Sequence, residues 1–101
     1  MDLVLCGANA ANMKYYFNSE QFPLLPEEVR KELKILLVRY CSDVGGAITL
    51  SFNNDLELVI TTYEPIDEIG AELKVEAMRK ENAELFAQLE LFAKTFIKRQ
   101  E

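Results

Sequence analysis

The apolar positions in the last third of the chain follow a regular pattern. Residues 67–100 contain no proline and one early glycine, and their apolar positions recur at alternating intervals of four and three residues. A repeat of about 3.5 residues keeps one seam of a helix facing a partner along its length. The pattern predicts one long helix whose seam is formed by Ala71, Val75, Met78, Asn82, Leu85, Leu89, Phe92 and Phe96.

Another helix is predicted in the first half of the chain. Pro26 fits the first position of a helix, because its missing N–H needs no partner there. Gly45-Gly46 suits the other end, because glycine accepts the left-handed backbone of a C-cap. The apolar positions between these ends form a broad face, so we expect this helix at the centre of the core, with Val29, Leu33, Leu36, Leu37, Tyr40, Cys41 and Val44 facing inward.

Two stretches of alternating apolar and polar residues predict a β-hairpin. Residues Ala47–Phe52 and residues 56–62 flank Asn53-Asn54-Asp55, which is typical of a turn. The aromatic run Lys14-Tyr15-Tyr16-Phe17 predicts a third strand, since a two-stranded sheet alone is marginally stable. We therefore expect an α+β fold, a single domain over residues 1–101. In it a small antiparallel sheet packs against two helices, of which the C-terminal one is long.

Short motifs spread over nearly the whole chain resemble those of a protein family. They are Leu5-Cys6-Gly7-Ala8, Lys14-Tyr15-Tyr16-Phe17-Asn18, Leu25-Pro26-Glu27-Glu28, Lys31-Glu32-Leu33-Lys34-Ile35-Leu36, Val44-Gly45-Gly46 and Asp67-Glu68-Ile69-Gly70. The family that they resemble consists of short bacterial proteins of unknown function from clostridial-type genomes. The resemblance implies a standalone one-domain protein, and it transfers no activity.

Composition and charge narrow the functional classes. The chain has 101 residues, a formal net charge of −6 and a pI near 4.7. A nucleic-acid binder needs lysine and arginine to displace counterions from phosphate, and a membrane-surface protein needs a polybasic patch, so neither partner is predicted. The apolar N-terminal stretch is too short for a signal peptide, and no stretch approaches the ~20 apolar residues of a membrane span. We therefore expect a cytoplasmic protein.

The sequence offers little catalytic chemistry. There is no histidine, which removes the usual general base at neutral pH and excludes Cys–His and Ser–His pairs within one chain. The acidic pairs Glu27-Glu28 and Asp67-Glu68 stand at predicted helix starts, where the helix dipole explains them. Cys6 and Cys41 are expected to be thiols, and Cys6 to be inert, because no neighbouring cation in the sequence lowers its pKa. The sequence favours a non-enzymatic protein without a cofactor or metal.

The second half of the predicted long helix needs a cover for its apolar side chains. About 34 residues at ~1.5 Å rise span roughly 50 Å, which exceeds the diameter of so small a domain. A symmetric homodimer is the commonest arrangement, and a polar Asn82 in the seam can fix the register of the two helices. The predicted interface consists of Met78, Asn82, Leu85, Leu89, Phe92 and Phe96. The alternative is a monomer in which this helix folds back along the first one.

Two functions follow as hypotheses. The first is an interaction or regulatory module that dimerises through the C-terminal helix or binds an unidentified protein partner. The second is a small-molecule-binding or catalytic domain with a pocket near Tyr15 and Tyr16, because one of two adjacent strand tyrosines faces away from the core. Asn9, Asn12 and Asn18 would contribute polar groups to such a recognition patch. An acidic inhibitor of a DNA-binding protein is a third possibility.

Overall fold

A computed structural model describes residues 3–97 of the chain. Two strands, one helix, two further strands and two further helices follow one another, with a short 3-10 helix at Phe22–Leu24 before the first α-helix. Their bounds are Leu3–Asn9 (β1), Lys14–Phe17 (β2), Glu27–Val44 (α1), Ala47–Phe52 (β3), Leu58–Tyr63 (β4), Glu68–Glu81 (α2) and Ala83–Phe96 (α3). The predicted α+β class is confirmed.

The four strands form one antiparallel sheet in the order β2-β1-β3-β4. Residues directly opposite one another in antiparallel strands share a face of the sheet, so the register assigns each residue to a face. Ile48, Leu50 and Phe52 of β3 are fully buried on the face that carries the core. Cys6 lies opposite Leu50, and Ala8 opposite Ile48, so the same face continues into β1.

The core lies between this face of the sheet and the helices. α1 crosses β1 and β3, and α3 approaches β4. Leu33, Leu37 and Tyr40 of α1 and Leu89 of α3 have no exposed surface. Gly45, with a φ of 78°, ends α1 in the left-handed region that glycine tolerates, as the sequence predicts.

β1 is a strand that the sequence pattern did not predict. It lies between β2 and β3, so it is a central strand of the sheet. The four residues from Leu5 to Ala8 are all buried. The register shifts between Val4 and Cys6, and this irregularity together with Gly7 removes the alternation that reveals a half-exposed strand. The predicted strand at residues 14–17 is present as β2, and it pairs with β1 instead of with the predicted hairpin.

The hairpin itself is confirmed, but β4 begins two residues later than predicted, at Leu58. The side-chain oxygen of Asn53 accepts hydrogen bonds from the backbone N–H groups of Asp55 and Glu57, both at 2.9 Å. Leu56 takes a left-handed backbone with a φ of 61° between them. The turn therefore extends to Glu57, because these local side-chain bonds replace strand pairing.

The prediction of one uninterrupted C-terminal helix is wrong, because Asn82 separates α2 from α3. Its φ and ψ are −117° and 26°, and its side-chain amide donates to the Met78 carbonyl oxygen at 3.0 Å. A helix of roughly 50 Å would also exceed the longest extent of the molecule, 37 Å. The break lets α3 turn towards β4 and the beginning of α1. The predicted residues 98–100 of the helix lie outside the described residues.

Candidate interaction surfaces

The residues of the predicted helix seam lie mostly inside this chain. Met78, Leu85, Leu89 and Phe92 are buried within the core cluster. The Asn82 side chain bonds to the carbonyl of Met78 in its own chain. Phe96 is different, because 64% of its surface is exposed. Of the six predicted interface residues, Phe96 therefore offers the largest free surface at the C-terminal end of α3.

An apolar groove surrounds this end of α3. Its volume is about 520 Å³, and it runs between α3 and the segment that leads into α1. The exposed side chains at its rim are Leu24, Leu91 and Phe96, which are 59%, 67% and 64% exposed. The ring centroids of Phe92 and Phe96 are 5.2 Å apart. The groove is lined by Leu24, Leu25, Pro26, Val29, Gln88, Leu89, Leu91, Phe92, Thr95 and Phe96, none of which is charged.

The two tyrosines of the predicted recognition patch lie on opposite faces of the sheet. Tyr15 pairs with Ala8, which belongs to the core face, whereas Tyr16 pairs with Gly7 on the open face. Both side chains are exposed, but neither lines the apolar groove. The structure therefore does not bring Tyr15 and Tyr16 into one pocket, and their role in binding stays a prediction.

The three asparagines near these tyrosines form local turns. Asn9 and Asn12 each accept a hydrogen bond from a backbone N–H two residues further along the chain. The Asn18 side-chain oxygen accepts two backbone N–H groups, and its amide donates to the carbonyl of Val4 at 3.1 Å. These carboxamides hold the β1–β2 hairpin and the segment after it, so their hydrogen-bonding groups serve the fold.

A second concave surface is an acidic cleft between β4 and α2. Its volume is about 570 Å³. Four glutamates line it: Glu64 from the loop after β4 and Glu68, Glu72 and Glu76 from α2. The three helical glutamates follow one another at intervals of four residues, so they share one face of α2. The other lining residues are Ile60, Thr62, Pro65, Ala71 and Val75.

The free edge of β4 forms one wall of the acidic cleft. In an antiparallel pair, hydrogen-bonded residue pairs alternate with pairs whose peptide groups point away from the partner strand. The N–H of Asn53 donates to the Glu57 carbonyl, and the next residue, Leu58, donates outward to Glu90 Oε2 at 2.8 Å. By alternation the peptide groups of Ile60 and Thr62 also point outward, and both residues line the cleft.

The acidic cleft is a feature that sequence reasoning missed. The spacing of Glu68, Glu72 and Glu76 is visible in the sequence and could have indicated an acidic helix face. At the start of a predicted helix the dipole explains Glu68, and no binding role is predicted for Glu72 or Glu76. The position of β4 beside these carboxylates depends on the fold, so no local pattern indicates it.

Both cysteines are free thiols. Burial raises the pKa of the Cys6 thiol to about 12, and burial also raises the pKa of Cys41. Cys6 has no exposed surface, whereas Cys41 is partly exposed. The expectation of an inert Cys6 therefore has a structural cause, since both access and the thiolate form are suppressed.

A thiol-labelling experiment tests this difference. We expect a disulfide reagent at mildly alkaline pH to modify no more than one thiol per chain in the native protein and two in denaturant, because Cys6 reacts only after unfolding. The Cys41→Ser variant should then take up almost no reagent while folded. Rapid labelling of folded Cys41→Ser would contradict the assignment of Cys6 to the core.

The described chain contains neither a metal-binding cluster nor a membrane-spanning helix. Among residues 3–97, no three cysteine or acidic side chains come together in a way that could hold a metal ion. No helix in that range combines the length and the hydropathy that a membrane crossing requires.

These features define the protein as a small α+β protein with a four-stranded antiparallel sheet, an apolar groove and an acidic cleft. The sequence profile of a family of unknown function (DUF6145) matches residues 2–101, and the chain belongs to this family. The resemblance to a family of unknown function, which the sequence motifs indicate, is confirmed. No curated protein and no solved structure matches the chain.

Proposed function

We propose that this protein is a cytoplasmic, non-enzymatic interaction module that forms a homodimer through the apolar groove. The observation that carries the proposal is the absence of charge among the ten residues that line the groove, in a chain of which 28% is charged. Exposed apolar patches on small proteins commonly mark an interaction site. Leu89, Phe92 and Phe96 of the predicted interface also line the groove. The proposed dimer therefore still forms through the C-terminal helix.

The lack of charge in the groove makes it the surface at which two copies of this chain can meet at the lowest electrostatic cost. Each copy carries a net charge of −6, so two copies repel each other overall, and an uncharged contact surface brings no further carboxylates together. The groove offers such a surface. In a two-fold dimer the same patch is used by both chains, and Phe96 is both a lining residue and an exposed one. Each Phe96 can therefore enter the groove of the other chain.

Light scattering across a concentration series tests the proposed dimer. We expect the molar mass to rise towards twice 11.6 kDa as the protein concentration increases. Added salt should shift the equilibrium towards the dimer, since it screens the repulsion between two acidic chains. A mass of one chain at every concentration and salt level would refute the proposal.

Two leucine substitutions locate the interface. Leu91→Glu introduces a charge that the proposed dimer would bury without a partner, and it should weaken dimerisation by about thirtyfold, which corresponds to ~2 kcal/mol. Leu73→Glu is the matched control, because Leu73 is 62% exposed on α2 and does not line the groove. We expect this control to dimerise like the parent protein. Circular dichroism should show that both variants remain folded, and equal effects of the two substitutions would exclude the groove as the interface.

A further inference from the structure

We propose that the acidic cleft accepts an extended basic peptide segment, which adds to β4 as a fifth strand of the sheet. The occupant is a segment of another protein with lysine or arginine at alternate positions. Its backbone would bind the free edge of β4, and its basic side chains would meet the glutamates of α2. This site shares no lining residue with the apolar groove, so the inference stands independently of the proposed dimer.

The backbone of β4 supplies the first part of the argument. Ile60 and Thr62 direct their peptide groups to the free edge, where they face the acidic cleft. An unpaired strand edge is a template for another extended chain, and main-chain hydrogen bonds give such complexes much of their affinity. At Leu58 the outward N–H is already used, because it donates to the Glu90 carboxylate. The available edge is therefore limited to the stretch of β4 that borders the cleft.

The spacing of the glutamates supplies the second part. Residues four apart on a helix are separated by about 6 Å along its axis, and this interval joins Glu68 to Glu72 and Glu72 to Glu76. Alternate side chains of an extended strand are about 6.6 Å apart and point to the same side. Basic residues at alternate positions of an added strand can therefore match successive carboxylates. The three carboxylates are spread over about 12 Å of the helix, which suits an extended peptide better than a compact cation.

The glutamate stripe also weakens the helix that carries it. Like charges four residues apart destabilise a helix. Within residues 3–97 the ion pairs join Lys31 to Glu27 and Lys74 to Asp43, so neither neutralises a carboxylate of the cleft. A basic ligand would be attracted by these carboxylates, and its binding would relieve the repulsion between them. The charge of the cleft and its shape thus favour the same occupant.

Fluorescence anisotropy with a synthetic peptide tests the inference. The probe is a heptapeptide in which lysine alternates with valine, amidated at its C-terminus and joined through an amide at its N-terminus to a fluorophore, and it is added to the full chain. We expect saturable binding that weakens as salt screens the charges. We also expect at least tenfold slower hydrogen exchange of the Ile60 and Thr62 amides at saturation, because an added strand pairs with this edge. No saturable binding, or unchanged exchange at these two amides, would overturn the proposal.

Matched controls separate strand addition from general attraction between opposite charges. Glu72→Gln should weaken binding about twofold to fivefold, as expected for one surface ion pair. Neutralising Glu68, Glu72 and Glu76 together should weaken binding about tenfold to hundredfold. Glu20→Gln removes the same charge from an exposed loop and should have no effect. A peptide methylated at alternate backbone nitrogens should bind at least tenfold more weakly, since it keeps its charge but cannot pair. Equal effects of Glu20→Gln and Glu72→Gln, or equal binding of the methylated peptide, would refute strand addition.

Discussion

Replacing Leu89 with alanine should lower the free energy of unfolding by about 3–5 kcal/mol. Leu89 has no exposed surface and belongs to the core between α3 and the sheet. Its truncation removes apolar contacts and leaves a cavity that the surrounding side chains fill only in part. Denaturant unfolding followed by circular dichroism measures this loss as a lower midpoint at an unchanged slope.

Leu91 provides the matched control on the same helix. It lies two residues from Leu89 but is 67% exposed, so Leu91→Ala should change the stability of the single chain by less than about 0.5 kcal/mol. Both variants are compared at low protein concentration, where the proposed dimer is dissociated, because Leu89 also lines the groove. Equal losses at the two positions would show that α3 does not pack on the sheet as described.

The apolar seam illustrates what helical periodicity can and cannot predict. The repeat selects Met78, Leu85, Leu89 and Phe92, and all four side chains are buried. Periodicity identifies the face of a helix that is covered, but it carries no information about which element covers it. In this chain the cover is the chain's own core. Leu91 and Phe96 on the outer part of α3 stay exposed, and the proposed dimer would cover them.

Asn82 shows why the helix break escaped prediction. A single asparagine in a helix costs roughly 0.7 kcal/mol relative to alanine, which a long apolar repeat can easily offset. The break is instead favoured by tertiary packing, since it brings α3 to β4. The local feature that accompanies the break is the hydrogen bond that the Asn82 side-chain amide donates to the Met78 carbonyl oxygen. This bond could not be inferred from the sequence, because an asparagine at a dimer seam has the same local pattern.

The two concave surfaces are formed by different segments of the chain. The groove joins residues from the start of α1 to residues of α3, and the cleft joins β4 to α2. The residues of each surface are separated in the sequence. The uncharged or acidic character of each surface becomes apparent only when the fold brings these segments together. The uncharged groove and the acidic cleft share no lining residue, so the proposed dimer and the proposed basic peptide would not compete for the same side chains.

A second large loss of stability is expected from Gly46→Ala. Gly46 has a φ of 69°, and an added Cβ would contact the carbonyl oxygen of Tyr63 and lie 2.7 Å from that of Glu64. Both obstacles are backbone atoms, so no side-chain rotation relieves the contact. We expect a loss of about 2–5 kcal/mol, which combines the unfavourable left-handed backbone with the displacement of the strand end. Thermal and denaturant unfolding of the purified variant would measure it.

Gly70→Ala is the control that separates steric contact with the backbone from contact with a mobile side chain. Its added Cβ would lie 2.6 Å from Oδ2 of Asp67, and that exposed carboxylate can rotate away. Because Gly70 lies within α2, alanine should raise helix stability by up to about 1 kcal/mol. Both substitutions replace glycine with alanine, but they should change the free energy of unfolding in opposite directions. A loss at Gly70 as large as that at Gly46 would contradict this explanation, since the steric contacts of Gly46 with Tyr63 and Glu64 would then not be its cause.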